Sequence, residues 1–177
     1  MPTHYAWTFF PSPVGNLVVA EADGRPLVVE FALRARRMRW VERLHRRWPG
    51  ARMDLGPCRA TVGWLEAYFQ KRPRPFAYPE YLGQYLAVSE AEELVWRRLC
   101  DIPLGETRAY DEIARLTGFH ARLVGQLVGA NHLAILVPCH RVVGKQGGLV
   151  GYGGGLDRKR WLLGHELRTT GVRLGPS

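Results

Sequence analysis

Two turn-forming segments near the N-terminus constrain the fold of this 177-residue chain more than any other feature. Residues 11–16 read Pro-Ser-Pro-Val-Gly-Asn and residues 23–26 read Asp-Gly-Arg-Pro, and both interrupt runs of β-branched and aromatic residues. Runs of this kind, bounded by such turns, are typical of strands. We therefore predict three strands, at residues 5–10, 17–22 and 27–31, joined by two hairpins into an antiparallel meander.

A basic helix and a linker are predicted to follow the meander. Residues 35–48 form a helical pattern that ends at Pro49-Gly50. Its apolar positions recur at helical spacing: Met38, Val41, Leu44 and Trp48. Its basic positions are typical of a solvated helix face: Arg36, Arg37, Arg39, Arg43, Arg46 and Arg47. A second helix at residues 59–70 leads into a linker at 71–85 that is rich in proline and aromatic residues.

Helical patterns dominate the second half of the chain. The first begins at Ser89-Glu90-Ala91-Glu92, which matches a capping box. We predict helices at residues 89–100, 109–116, 121–130 and 157–167, an apolar strand-like run at 133–137 and a glycine-rich stretch at 144–155. The second and third of these helices, with the short glycine-containing turn between them, form a helix-turn-helix pattern.

The change of pattern along the chain predicts an α+β fold with two domains. Residues 1–85 are expected to form a small N-terminal domain with an antiparallel sheet. Residues 86–177 are expected to form a helical C-terminal domain that contains the helix-turn-helix.

Composition excludes several classes of protein and suggests one kind of partner. The chain is 46% hydrophobic and 23% charged, which is typical of a globular protein and excludes disorder or a coiled coil. Its formal charge of +9 favours a polyanionic partner, although a basic surface with no specific partner explains it as well. No apolar run is long enough for a membrane span, and no secretory signal is visible. With three cysteines and no paired spacing, we expect a reducing, cytoplasmic location.

Cys139 is the strongest candidate for a reactive group. It follows an apolar run and a proline, and its neighbours His140 and Arg141 would lower the pKa of its thiol. The alternative is a buried structural cysteine beside a structural histidine. Cys58 and Cys100 lack such neighbours and are interpreted as packing residues. A metal site is not predicted, because no Cys-x-x-Cys pair occurs and the histidines are scattered.

Longer strings around Cys139 resemble the 6-O-alkylguanine-DNA alkyltransferases, also called methylated-DNA–protein-cysteine methyltransferases. The resemblance is close over about residues 88–167 and is carried further upstream only by the layout of a meander and a helix. The matching strings are Val95-Trp96, residues 102–107 (Ile-Pro-Leu-Gly-Glu-Thr), residues 110–114 (Tyr-Asp-Glu-Ile-Ala), residues 137–144 (Val-Pro-Cys-His-Arg-Val-Val-Gly), residues 151–156 (Gly-Tyr-Gly-Gly-Gly-Leu) and residues 159–166 (Lys-Arg-Trp-Leu-Leu-Gly-His-Glu).

The resemblance implies a single-use DNA repair protein that needs no cofactor. Cys139 would accept the alkyl group from O6 of guanine in duplex DNA, with activity on O4 of thymine left open. His140 would take the thiol proton through a bound water, and Glu166 would orient His140. The partner would be double-stranded DNA containing alkylated guanine, with no obligatory protein partner. In a bacterium or archaeon the protein would be associated with the nucleoid.

The same resemblance implies that the damaged nucleotide is rotated out of the helix. Arg122 would fill the gap in the base stack, Tyr110 would push on the flanking phosphate, and Asn131 would form the turn below the active site. Further DNA contacts are expected from Ala121, Gly125, Gln126 and Arg141. The base pocket would be lined by Tyr152, Val150, Gly151, Gly153, Gly154 and Ala134, and the small Ala134 would widen the range of alkyl groups.

One feature of the second helix of the pair is independent of the resemblance. Ala121, Gly125 and Gly129 recur every fourth residue and leave one helix face with almost no side-chain bulk. A helix that reads the major groove needs long polar side chains, so a minor-groove contact is favoured. Close packing against another helix is the competing explanation.

Two departures from the family pattern and two rival functions remain. The family has Asn-Pro where this chain has Asn131-His132, and the segment from Tyr110 to Arg122 is about two residues shorter. One rival is a non-enzymatic lesion sensor, whose known relatives replace the cysteine. The other is a cysteine hydrolase or transcription factor built on the same helix pair.

Residues 36–47, which carry the arginines of the first predicted helix, are a candidate second DNA-contacting surface.

Overall fold

The structure, a computed structural model, describes residues 2–32, 39–86 and 88–171. The chain divides into two units. The first contains Met1–Arg74, Pro79–Ser89 and His132–Ala134, and the second contains Pro75–Tyr78, Glu90–Asn131 and Ile135–Ser177. The boundary between residues 85 and 86 stays a prediction. The α+β class is confirmed, because a sheet and a set of helices are both present.

An antiparallel meander forms the centre of the first unit, as the turn segments predict. Strand β1 (His4–Phe10) pairs with β2 (Leu17–Ala22), and β2 pairs with β3 (Arg25–Phe31), both antiparallel. The second hairpin turns at Asp23 and Gly24, whose φ angles of 51° and 72° are both positive. Two positive φ angles at the centre of a two-residue loop match the right-handed twist of the strands.

A fourth strand, absent from the prediction, makes the sheet mixed. Strand β4 (Arg52–Leu55) lies parallel to β1 at the edge of the sheet, in the order β3-β2-β1-β4. It is four residues long and mostly exposed, so it has no alternation of buried and exposed residues that a sequence pattern could reveal.

Three helices belong to the same unit: α1 (Arg39–Arg47), α2 (Arg59–Phe69) and α3 (Tyr81–Leu86). Of the stripe predicted for the first helix, Val41, Leu44 and Trp48 are buried, and Met38 lies outside the described residues. Arg36 and Arg37 also lie outside them, as do the side chains of Arg39 and Arg43.

Polar and aromatic contacts hold α2 and α3 against the sheet. Glu21 on β2 accepts hydrogen bonds from the backbone N–H (2.7 Å) and hydroxyl (2.6 Å) of Thr61 in the first turn of α2. The guanidinium of Arg25 lies over the rings of Tyr81 and Tyr85, at 5.4 and 5.3 Å. Helix α3 falls in the predicted linker, and we correct that prediction. Its stability comes from these aromatic contacts with a strand, which helical periodicity does not report.

The second unit is mostly helical. Its elements are α4 (Glu90–Cys100), β5 (Arg108–Ala109), α5 (Tyr110–Thr117), α6 (Ala121–Gly129), a 3-10 turn (Cys139–Arg141), β6 (Val142–Val143) and α7 (Leu156–Thr170). Strands β5 and β6 pair in parallel. Trp96 on α4 is fully buried and donates its indole N–H to the carbonyl of Leu127 on α6 at 2.9 Å. Within the described ranges no helix is long and apolar enough to cross a membrane.

Helices α5 and α6 are joined by a three-residue turn, close to the predicted positions. Gly118 ends α5 in the left-handed conformation, with a φ of 75°. The imidazole of His120 accepts a hydrogen bond from the backbone N–H of Leu123 at 3.1 Å and caps α6. The pair therefore has the connectivity of a helix-turn-helix.

The strand-like run at residues 133–137 is not a strand, and this prediction is wrong. Leu133 makes a single bridge to Val29, and Ile135 has a φ of 74°, which breaks any extended ladder. All five residues are buried, so their apolar character reflects burial rather than strand pairing. The turn they form leads directly into Pro138 and Cys139.

The left-handed turn at Gly118 gives a stability test of the helix pair. Alanine at Gly118 is expected to lower the free energy of unfolding by about 1 kcal/mol, because a Cβ is strained at this φ. The matched control is Gly63→Ala on the exposed face of α2, which should stabilise by about 0.5 kcal/mol or more. Urea unfolding of both variants measures the two effects. If both substitutions changed the free energy of unfolding in the same direction, the left-handed turn at Gly118 would be contradicted.

Candidate active site

Cys139 begins the 3-10 turn and lies almost fully buried, with 7% of its surface exposed. The side-chain amide of Asn131, just after α6, donates to its Sγ at 3.1 Å and to the carbonyl of Val137 at 2.9 Å. An N–H group that donates to sulfur favours the thiolate over the thiol. The structure therefore brings together two of the residues predicted for the site.

The carboxylate of Glu166, on α7, organises the residues next to Cys139. One oxygen, Oε1, is 2.7 Å from Nε2 of His140 and accepts from Nη2 of Arg141 at 3.0 Å. The other, Oε2, accepts from Nε of Arg141 at 2.9 Å and from the backbone N–H of Gly105 at 3.3 Å. His140 and Glu166 are both fully buried.

The electrostatics of this cluster fix the tautomer of His140. Burial would raise the pKa of the Glu166 carboxyl, but His140 and Arg141 hold it well below its usual value of 4.5. Burial lowers the pKa of His140, and Glu166 only partly opposes this shift. An ionised Glu166 can only accept, so Nε2 of a neutral His140 carries the proton and Nδ1 carries the lone pair. This buried Nδ1 has no hydrogen-bond partner among the described residues, and it is the atom able to take a proton.

Lys159 is a functional candidate that sequence reasoning missed. It is fully buried on α7, and its ammonium donates to the carbonyls of Val142 (2.6 Å) and Val150 (2.9 Å). Burial lowers its pKa, while the charge of Cys139 raises it. The signal was available, because Lys159 precedes Leu162 by three residues and Glu166 by seven, on the buried stripe of the helix.

The glycine-rich loop lies close to the same cysteine. Burial, and then the charge of Cys139, raise the pKa of both Tyr110 and Tyr152, so both phenols keep their protons. The hydroxyl of Tyr110 donates to the carbonyl of Gly151 at 3.4 Å. Val150 and Gly153 are exposed, whereas Gly154 is buried, and its carbonyl accepts from Arg158 at 2.7 Å. Of the predicted pocket residues of this loop, Tyr152 therefore lies close enough to Cys139 for the charge of the sulfur to raise its pKa.

One predicted site residue, Arg141, has a different environment from the one expected. Arg141 was predicted to contact DNA, but its side chain is 11% exposed and its guanidinium binds Glu166 and the carbonyl of Ile102 (2.5 Å), which corrects that prediction. A buried guanidinium with carboxylate partners has little left to offer a phosphate. Ala134 is buried, donates its N–H to Val29 and belongs to the first unit, so its predicted place in the pocket stays a prediction.

Helix α6 presents the small face noted in the sequence. A Cβ at Gly129 would meet no atom of the described residues within 4 Å, and one at Gly125 would touch only a ring carbon of Tyr110 at 4.0 Å. Close packing against another helix, the competing explanation, is therefore unsupported. Arg122 and Gln126 are exposed on this helix, and Ala121 is partly exposed.

The other two cysteines have a different environment. Burial raises the pKa of both Cys58 and Cys100 to about 12, so both stay as thiols at neutral pH. In the part of the chain that the structure describes, no group of three or more His, Cys, Asp or Glu side chains could hold a metal ion.

Comparison with known proteins identifies the family. Residues 90–168 match the family model described as the DNA-binding domain of 6-O-methylguanine DNA methyltransferase. A methylated-DNA–protein-cysteine methyltransferase of Mycobacterium leprae is 38% identical over 158 residues, which cover 86% of each chain. One of Mycolicibacterium paratuberculosis is 48% identical over 62% of this chain and 73% of its own. The chain belongs to the methylated-DNA–protein-cysteine methyltransferase family.

The fold of this methyltransferase family is also matched over most of the chain. The crystal structure of Mycobacterium tuberculosis OGT in complex with DNA covers 94% of each chain with a TM-score of 0.72 and 34% identity. The resemblance inferred from the residues around Cys139 is thus confirmed and extends through the N-terminal half.

Removing the charge of Glu166 tests how much its contacts with His140 and Arg141 stabilise this methyltransferase. We expect Glu166→Gln to lower the free energy of unfolding by about 3 kcal/mol at pH 7, because it leaves Arg141 buried without a counter-charge. The matched control is Glu93→Gln on α4, whose ion pair with Arg97 is partly exposed, and which should cost less than about 1 kcal/mol. Chemical denaturation measures both.

The pH dependence of that difference has a definite sign. The folded protein depresses the pKa of Glu166, so its contribution is complete above the usual 4.5 and is lost as pH falls below it. The gap between wild type and Glu166→Gln should therefore shrink in acid. A gap that is constant down to low pH would show that Glu166 is not ionised in the folded state.

Proposed function

We propose that this chain repairs DNA by transferring an alkyl group from O6 of guanine in duplex DNA to the sulfur of Cys139. Alkyl-transfer repair follows from membership of the family. The observation that supports Cys139 as the acceptor is the hydrogen bond from Asn131 to its sulfur, beside the buried pair of His140 and Glu166. No such set surrounds Cys58 or Cys100 in the described residues.

The first step is ionisation of the thiol. Cys139 loses its proton to Nδ1 of His140 through a water molecule, and Glu166 stabilises the imidazolium from the opposite nitrogen. Asn131 and the ammonium of Lys159 favour the thiolate that remains. The transfer needs no cofactor, because the substrate itself supplies the alkyl group.

The second step is one displacement at the alkyl carbon. The thiolate forms a C–S bond while the bond from that carbon to O6 of guanine breaks, and the electron pair leaves with the guanine. The leaving guanine takes up one proton from the phenol of Tyr152, which burial keeps protonated, and the proton held by His140 then restores the phenol, so that His140 is neutral again. The thioether product is not hydrolysed, so each molecule reacts once.

Access to O6 requires the nucleotide to leave the stack. A base inside a duplex does not reach a buried cysteine, so it is rotated into the pocket beside the loop at residues 150–154. Arg122 is exposed on α6 and suits the role of filling the gap in the stack. Tyr110 suits contact with the flanking phosphate, since its hydroxyl is at the end of α5 next to this loop.

The small face of α6 supports a minor-groove contact. Among the described residues a Cβ at Gly129 would meet nothing within 4 Å and one at Gly125 only a ring carbon of Tyr110 at 4.0 Å, which leaves room for a sugar-phosphate backbone. The charge of +9 supplies sequence-independent attraction to phosphates, so binding should weaken steeply with salt. The compartment is the one that holds the DNA, which in a bacterium or archaeon is the cytoplasm.

The transfer itself is tested by intact-mass measurement. After incubation with duplex containing 6-O-methylguanine, the wild-type protein should gain the mass of one methylene, on the Cys139 peptide only. Cys139→Ala should gain nothing yet still bind DNA, whereas the matched control Cys100→Ala should react like wild type.

Each rival function has its own outcome in this experiment. A lesion sensor would bind without any gain in mass, and a hydrolase would release product repeatedly while its own mass stays unchanged. A methyl group found on Cys58 or Cys100 would refute the assignment of Cys139 as the acceptor.

The groove is tested by adding bulk to the small face. Gly129→Met should fold, because a Cβ there is unhindered and methionine favours helix, but it should weaken duplex binding at least about tenfold. The control is Gly63→Met on the exposed face of α2, which should bind DNA as wild type does. Fluorescence anisotropy at fixed salt measures both, and unchanged binding by Gly129→Met would exclude this face from the interface.

A further inference from the structure

Arg141 occupies a position that the proposed transfer chemistry does not explain. Its guanidinium makes three hydrogen bonds, two to the separate oxygens of Glu166 and one to the carbonyl of Ile102. This is the two-pronged geometry that binds a carboxylate most strongly. It therefore competes with His140 for the same charge, since Oε1 of Glu166 also lies 2.7 Å from Nε2 of the imidazole.

A charge count shows what this competition does. With His140 neutral and Cys139 as a thiol, the buried groups are one anion, Glu166, and two cations, Arg141 and Lys159, for a net charge of +1. A proton taken from solvent by His140 would raise the net charge to +2 in a dry environment, which is costly. A proton taken from Cys139 leaves the net charge at +1, because a thiolate forms at the same time.

We propose that Arg141 is a positioning residue that holds both oxygens of Glu166 and thereby keeps His140 uncharged until it receives the proton of Cys139. Without the guanidinium, Glu166 would pair with His140 alone and the resting cluster would be neutral. A solvent proton would then bring the net charge only to +1. The pKa of His140 would therefore rise, and a larger fraction of the imidazole would already be protonated at rest and unable to accept the proton of the nucleophile.

The groups that face His140 are consistent with this role. Within the described residues they are Glu166 and Lys159 from α7 and Arg141 from its own turn, and both cations disfavour the imidazolium. Helix α4 brings Cys100 toward Arg141, but burial raises the pKa of that thiol to about 12, so it adds no charge. Burial is the largest cause of the lowered pKa of His140, and Arg141 adds to it.

The test is a direct titration of His140 by NMR of protein labelled with ¹⁵N-histidine, in a Cys139→Ser background that removes coupling to the thiol. The His140 signal is assigned by its loss in His140→Gln. The parent should keep a neutral imidazole, protonated at Nε2, below pH 6.5, the usual His value. Arg141→Gln should raise the midpoint by about one pH unit or more. Arg141→Lys keeps the charge and should raise it less.

Arg160→Gln is the matched control, since it removes an exposed arginine of α7 whose partner is Asp157, and it should leave the titration unchanged. With Cys139 restored, the acid limb of the transfer rate should move to higher pH in Arg141→Gln. A rate that falls equally at every pH, with no shift in the limb, would reduce Arg141 to a structural role and overturn the proposal.

If Arg141→Gln does not fold, the titration of His140 in the parent and in Arg141→Lys still tests the proposal. A His140 that is already an imidazolium at pH 7 in the parent would overturn the proposal alone. The inference rests on the proposed role of His140 as base, yet the titration needs no alkyl transfer. A protein that never methylates Cys139 would therefore refute the proposed function and leave this titration to be judged separately.

Discussion

The carboxylate of Glu166 is the interaction on which the rest of the site depends. It is a fully buried charge, and such a charge is tolerated only when donors replace the water it has lost. Its four hydrogen-bond contacts come from two segments that are distant in sequence, Gly105 before β5 and the turn at His140 and Arg141, and they join both segments to helix α7. Because both oxygens are committed, none of these segments can shift without exposing an unpaired charge. The position of Cys139, at the start of the same turn, is fixed as a consequence.

A second constraint comes from the other side of the sulfur. The amide of Asn131 bridges Val137 and Cys139, so the end of α6 is tied to the nucleophile by two hydrogen bonds. The helix that carries Arg122 and the small glycine face therefore ends where the acceptor begins. In the proposed function, a DNA contact made along α6 would thus be linked to the acceptor sulfur through the side chain of Asn131.

The sequence predicted those parts of the molecule that depend on local pattern. The meander follows from its turns, and the pair α5 and α6 follows from helical spacing and Gly118. It failed where long-range contacts decide: β4 is a short exposed edge paired with a distant strand, and α3 is held by Arg25 from β3. It misjudged Arg141 for the same reason, because the resemblance implied a DNA contact there, and the carboxylate of Glu166 that binds the guanidinium is 25 residues away in the sequence. Lys159 is the opposite case, because its helical spacing from Leu162 and Glu166 could have predicted a buried charge from the sequence alone.

The contrast between the thiols of Cys58 and Cys139 supports Cys139 as the proposed acceptor. The Sγ of Cys58 lies against the backbone carbonyls of Ala6 (3.5 Å) and Val19 (3.6 Å), which can only accept and so stabilise the protonated thiol. The Sγ of Cys139 receives an N–H from Asn131, which stabilises the thiolate. Both sulfurs are buried, at 1% and 7% exposure, so exposure does not separate them. What separates them is whether the group next to the sulfur accepts or donates a hydrogen bond. Burial alone makes a thiol inert, whereas burial beside a donor and nearby cations favours the nucleophilic thiolate.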